Sequence, residues 1–192
     1  MFYPKKVRKK NIFCIESHWG GTLVEPKPSV KPILEFCSVA SGTRYTHHIV
    51  HTRDAFDYAI RNAKPKDSNL LFFAFHGSPE NIYLGTNQEF LVNIDEIAEL
   101  LGTRFSGSGL HFSSCSVLNI SDEKAAEFLK KTGLSFVSGY GQGIDYIESA
   151  AMDLAFLGKW YTYKSIGHLT KSITSSYGDL INENQFKFYR SR

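Results

Sequence analysis

No stretch of this sequence approaches the roughly 18 consecutive apolar residues that a membrane-spanning helix needs, so no membrane segment is expected. The basic opening MFYPKKVRKK leads into NIFCIE, which is strand-like and too short for a signal-peptide core; residues 1–10 read as a solvated, frayed terminus. Cysteine is scarce. Cys14, Cys37 and Cys115 are odd in number and far apart, which excludes a disulfide framework and points to free thiols in a reducing, cytoplasmic compartment. A dominant charge is missing too: the net charge is +3, much of it in the opening, and gives no case for nucleic-acid binding. Internal repeats, linkers and low-complexity segments are all absent.

What is present reads as an ordinary globular chain, 42% hydrophobic and 21% charged, long enough at 192 residues for one core and a single domain over 1–192. Strand patterns fall at NIFCI (11–15), RYTHHIVH (44–51), LLFFAF (70–75), residues 110–113, SFVSGY (135–140) and QFKFY (185–189). Helical patterns alternate with them: ILEFCSVA up to Ser41-Gly42, Arg53 to Ala63, IDEIAELLG capped by Asn93, Ser121 to Lys131, ESAAMDLAFLGKWY, and a last one from about Ser165. IYLG and TNQEFL suggest a small hairpin after the third strand. LLFFAF has no polar alternation, as in a strand buried on both faces. The order predicts an α/β fold, a three-layer α/β/α sandwich around a mostly parallel sheet of about six strands.

In such sheets functional groups gather beyond the carboxyl ends of the strands. His18, His76, Cys115 and Gly139-Tyr140-Gly141 all fall there. A thiol becomes a nucleophile on losing its proton, and an imidazole or the positive end of a helix helps it do so. Cys115 stands among serines at a strand tip, before a helix; Cys14 lies mid-strand and Cys37 on a helix face, as structural thiols do. Gly77 after His76 allows close backbone approach and offers an N–H to a developing oxyanion.

FFAFHG with its hairpin, then LHFSSC, then FVSGYGQGIDYIESA together resemble the caspase fold superfamily (clan CD cysteine peptidases), in particular its bacterial CHAT branch, over residues 68–160. The resemblance implies His76 as general base and Cys115 as nucleophile. It also implies oxyanion N–H groups from Gly77 and Cys115, and a thioester that water hydrolyses. Two features depart from it. Ser116-Val117-Leu118-Asn119 stands where relatives often carry a glycine, and Ser113 where acid-pocket members carry an aspartate.

Glu16, His18, Ser113, Tyr140 and Asp145 are the substrate-pocket candidates, with Trp19, Tyr140 and Tyr146 as its walls. Two acids, Glu16 and Asp145, could pair with a basic residue just before the scissile bond; Asp145 equally reads as the cap of the next helix. His47 and His51 alternate onto one strand face without a Cys, Asp or Glu at metal spacing, and His111 reads as a core histidine, so neither a metal nor a cofactor is expected. Expected partners are a polypeptide substrate and an activating protein, since no pro-domain or processing linker is visible. A catalytically silent caspase-like scaffold is the alternative from another class. A flavodoxin-like nucleotide binder lacks its phosphate loop: SHWGGT follows the first strand, and GYGQG comes too late.

Overall fold

The computed structural model describes residues 10–19, 28–85 and 90–191. Residues 1–9 of the terminus expected to be frayed, and 86–89 within TNQEFL, fall outside the described residues; Lys10, the last of that terminus, donates to the Trp160 and Tyr163 carbonyls. The chain runs β1 (Asn11–Glu16), α1 (Lys31–Ser41), β2 (Arg44–Ile49), α2 (Arg53–Asn62), β3 (Leu70–Ala74), β4 (His76–Ser78), β5 (Asn81–Leu84) and β6 (Phe90–Asn93). It continues with α3 (Ile94–Leu101), β7 (Gly109–Ser113), α4 (Asp122–Thr132), β8 (Phe136–Tyr140), α5 (Tyr146–Thr162), α6 (Ile166–Glu183) and β9 (Phe186–Arg190).

Six strands form one sheet in the order β2-β1-β3-β7-β8-β9, parallel throughout except for β9, which runs against β8. Alternation along each strand sends one set of side chains to each face. Phe13, Leu71, Phe73, Phe112 and Val137 pack with Phe56 and Ile60 of α2, Ile97 and Leu101 of α3 and Phe128 of α4. Ile12, Cys14, Phe72 and Phe136 face Leu34 and Cys37 of α1, Phe156 and Trp160 of α5 and Leu169 and Ile173 of α6. The result is the expected three-layer sandwich.

Beyond β3 the structure adds more than a hairpin. β4, β5 and β6 form a separate antiparallel ribbon. Phe75 leaves the main ladder because its N–H donates to the Ser114 hydroxyl at 3.0 Å, and His76 therefore opens the ribbon. Pro79 and Glu80 (φ 66°) make the turn, tied down by a Glu80 N–H to Val117 carbonyl bond of 3.3 Å. At the ribbon's end Asn93 starts α3 through a capping box. Its side chain accepts from the Asp95 N–H at 2.9 Å, and Glu96 accepts from the Asn93 N–H at 2.9 Å.

Asn93 also donates to the Asn81 side chain at 3.1 Å, so one residue joins ribbon and helix. Asn93→Ala is expected to lower unfolding stability by about 1 kcal/mol, read as a shift of the urea midpoint, and Asn93→Asp to recover most of it.

Candidate active site

β3 and β7 are neighbours in parallel register, with Ala74 beside Ser113, so whatever follows each strand leaves the same edge of the sheet. His76 follows one and Cys115 the other. Both line a cavity of about 190 Å³, with Ser113 and Ser114 also on its surface. Trp19, Pro28, Ile144, Tyr146 and Ser149 complete its described lining. The half-buried Cys115 thiol accepts from the Ile144 N–H at 3.5 Å and lies 3.6 Å from the Ile144 carbonyl.

Cys115 sits in a tight turn, where Ser116 adopts a left-handed φ of 56°. The turn is held by Ser116 N–H to the Gln142 carbonyl (2.8 Å) and Leu118 N–H to the Tyr140 carbonyl (3.0 Å). These residues separate Cys115 from α4, which begins only at Asp122, so no helix start abuts the thiol as the sequence suggested. Gly77 is needed for space: a Cβ there would fall 2.4 Å from the Cys115 carbonyl oxygen and 2.6 Å from the Val117 side chain.

Trp19 meets the His76 ring edge-on at 5.3 Å, and its indole N–H donates to Glu16 Oε1 at 2.7 Å. Glu16 is only 2% exposed. It also accepts from the Val30 N–H at 3.0 Å and the Ser29 hydroxyl at 2.8 Å, and pairs with His47. Ser29 is bonded in turn to the Tyr146 hydroxyl. Glu16 thus organises the aromatic wall, with both oxygens saturated from within the protein. Asp145 is exposed and caps α5, accepting from the Ile147 N–H at 2.7 Å. Neither expected acid offers its carboxylate to the cavity.

Tyr140 stands beneath the cavity, fully buried, its hydroxyl donating to Asp153. Asp153 also accepts from the Ser113 hydroxyl at 2.6 Å and bonds His111 Nε2 at 2.8 Å; His111 Nδ1 meets Ser138 at 2.9 Å. His111 is the core histidine the sequence suggested, but the layer that Asp153 gathers around it escaped the sequence reading. Its signal was Asp153 itself, a lone acid among Met152, Phe156, Leu157 and Trp160 on the buried face of α5. Ile144 and Ser149, from the segment after β8, were missed as well.

The remaining histidines are dispersed. His18 is half-buried, and its ring lies tilted against that of His51 at 4.9 Å. β2 ends at Ile49, so His51 does not share a strand face with His47. His48 packs against Phe13. Among the described residues no three His, Cys, Asp or Glu side chains group as metal ligands, and no helix is long and apolar enough to cross a membrane.

Two outcomes follow from this geometry. Burial raises the Glu16 carboxyl, but hydrogen bonds from His47, Trp19, Ser29 and Val30 outweigh it and hold the group below its ordinary value. A carboxyl lowered on folding stabilises the protein above its unfolded pKa, and that share is lost as the pH falls through its folded value. Urea midpoints across the acid range should therefore fall less steeply for Glu16→Gln than for the wild type. Gly77→Ala should cost about 1–3 kcal/mol in the same assay, because the nearer of the two colliding atoms is backbone.

Comparison with solved structures gives a caspase-like fold. Caspase-1 from Spodoptera frugiperda superposes with a TM-score of 0.58 over 88% of this chain and 78% of that one, at 8% sequence identity. No curated protein matches the chain. A family profile does match, across residues 9–190, and the chain belongs to that family, described as a family of unknown function (DUF6642).

Proposed function

We propose that the protein is a cysteine endopeptidase with Cys115 as nucleophile and His76 as general base, akin to the CHAT-type members of clan CD. The observation that carries this reading is that two neighbouring parallel strands deliver His76 and Cys115 to one cavity. The thiol proton passes to His76 and the thiolate attacks the scissile carbonyl carbon. The oxyanion would be met by the N–H groups of Gly77 and Cys115. A two-residue turn closes on a hydrogen-bonded pair, so Gly77, the next residue from the turn and opposite Ile82, points its N–H away from β5. Collapse to a thioester expels the amine, which takes its proton from His76. Water, deprotonated by His76, then releases the acid. The scheme is complete without a cofactor.

The substrate is a polypeptide, and activation by a protein partner belongs to the same reading. The three free cysteines suit a reducing, cytoplasmic setting. Selection of a basic residue before the scissile bond would have to come from groups other than Glu16 and Asp145, whose carboxylates serve the fold. A catalytically silent binding module is the second reading, favoured by the Ile144 backbone groups that already flank the Cys115 thiol.

Thiol reactivity separates the two. Cys14 and Cys37 are buried, and burial pushes both thiols up. Cys115 should therefore react with iodoacetamide first near neutral pH, and His76→Ala should slow it by about a hundredfold. Peptide hydrolysis should vanish in Cys115→Ala. Equal labelling of the three thiols, or no response to His76→Ala, would establish the silent module.

A further inference from the structure

We infer that Ser113, fixed as a hydrogen-bond acceptor by the buried carboxylate of Asp153, selects a substrate side chain ending in an N–H donor, so that Asp153 sets specificity without touching the substrate. The inference rests on the peptidase reading and adds the class of residue held beside Cys115.

A serine hydroxyl has one proton and two lone pairs. The Ser113 proton is committed to Asp153 Oδ2 at 2.6 Å, because a carboxylate only accepts. Ser113 lines the cavity and can therefore offer it lone pairs alone. Ser149, on the same surface, is in the same condition: its hydroxyl donates to the Tyr146 carbonyl at 2.9 Å. Ser114 accepts from the Phe75 N–H at 3.0 Å and directs its proton toward the Phe73 carbonyl at 3.5 Å. The cavity's three serines thus present oxygen acceptors and no proton. A side-chain carbonyl or carboxylate set against these serines would face lone pairs; an ammonium, guanidinium or carboxamide N–H would be met.

The polarity is locked from behind. Asp153 is fully buried, with His111 and Tyr140 both donating to Oδ1, so its other oxygen is held toward Ser113. The His111 ring is stacked on Phe156 at 4.7 Å and bonded to Ser138 through Nδ1, which aims Nε2 at Asp153. Burial and the Asp153 charge raise the Tyr140 hydroxyl well above its ordinary pKa and keep it a donor.

The test uses the full chain and short peptidyl acyloxymethyl ketones that differ only in the residue before the electrophile, with alkylation of Cys115 as the readout. Probes carrying Lys, Arg or Gln should label at least about tenfold faster than those carrying norleucine or Glu. Lys and Arg ahead of Gln would assign the donor as a cation, Gln ahead as an amide, and either supports the inference. Labelling by norleucine or Glu at an equal or greater rate overturns it and leaves the peptidase standing. No labelling by any probe, either with the chain alone or in a lysate of its source cells that supplies the activating partner, overturns the peptidase reading and this inference with it.

Asp153→Asn supplies the reading that a merely structural role would not move. Its amide oxygen stays with His111 and Tyr140, and its nitrogen donates to Ser113, whose proton is then free to turn into the cavity. The donor preference should collapse toward unity while iodoacetamide still labels Cys115. A folded Asp153→Asn protein with its preference intact overturns the inference. Should that variant not fold, Ser113→Ala removes the same acceptor and carries the same expectation.

Discussion

The parallel pairing of β3 with β7 is the constraint on which the rest of the site depends. Parallel neighbours finish at the same edge, and the Ala74–Ser113 register sets the two chain exits side by side. The chain then departs from regular structure on both strands at once. Phe75 gives its N–H to Ser114 rather than to the ladder, and Cys115 enters a turn that needs a left-handed Ser116. Each departure supports the other, because Gly77 must lie against the Cys115 carbonyl for the two segments to fit.

Much of this was legible in the residues. LLFFAF could only be a strand buried on both faces, and Gly42, Asn93 and Ser121 marked helix ends where the structure has them. The coincidence of His76 and Cys115 at strand ends followed from strand order alone. What was not legible was long-range. Glu16 gave no sign that Trp19, Ser29, Val30 and His47 would enclose it, since His47 lies 31 positions away. β4 was hidden because three residues, His76–Ser78, are too few to show a period. Tyr140 looked like a cleft wall because it ends a strand, yet alternation turns it into the layer shared with Phe136 and Phe156.

The layer beneath the cavity is unusual in what it leaves uncovered by pattern. His111, Ser138, Tyr140 and Asp153 sit among aromatic rings of Phe72, Phe156 and Phe186, where an unpaired polar group would cost about 1–3 kcal/mol. Every one of the four has a partner. Such a network tolerates replacement of all its members together better than loss of one, because a single loss strands the others in apolar surroundings.

The Glu16 clasp also bears on how this chain can diverge. One buried carboxylate holds the Trp19 indole on one side and Ser29 and Val30 on the other, so two positions well apart in sequence are tied to a single point. With both ends fixed there, doubling the length of the connection adds only about 0.6 kcal/mol of closure entropy. An insertion between Trp19 and Ser29 would therefore leave the clasp, and the aromatic wall it holds at the cavity, where they are.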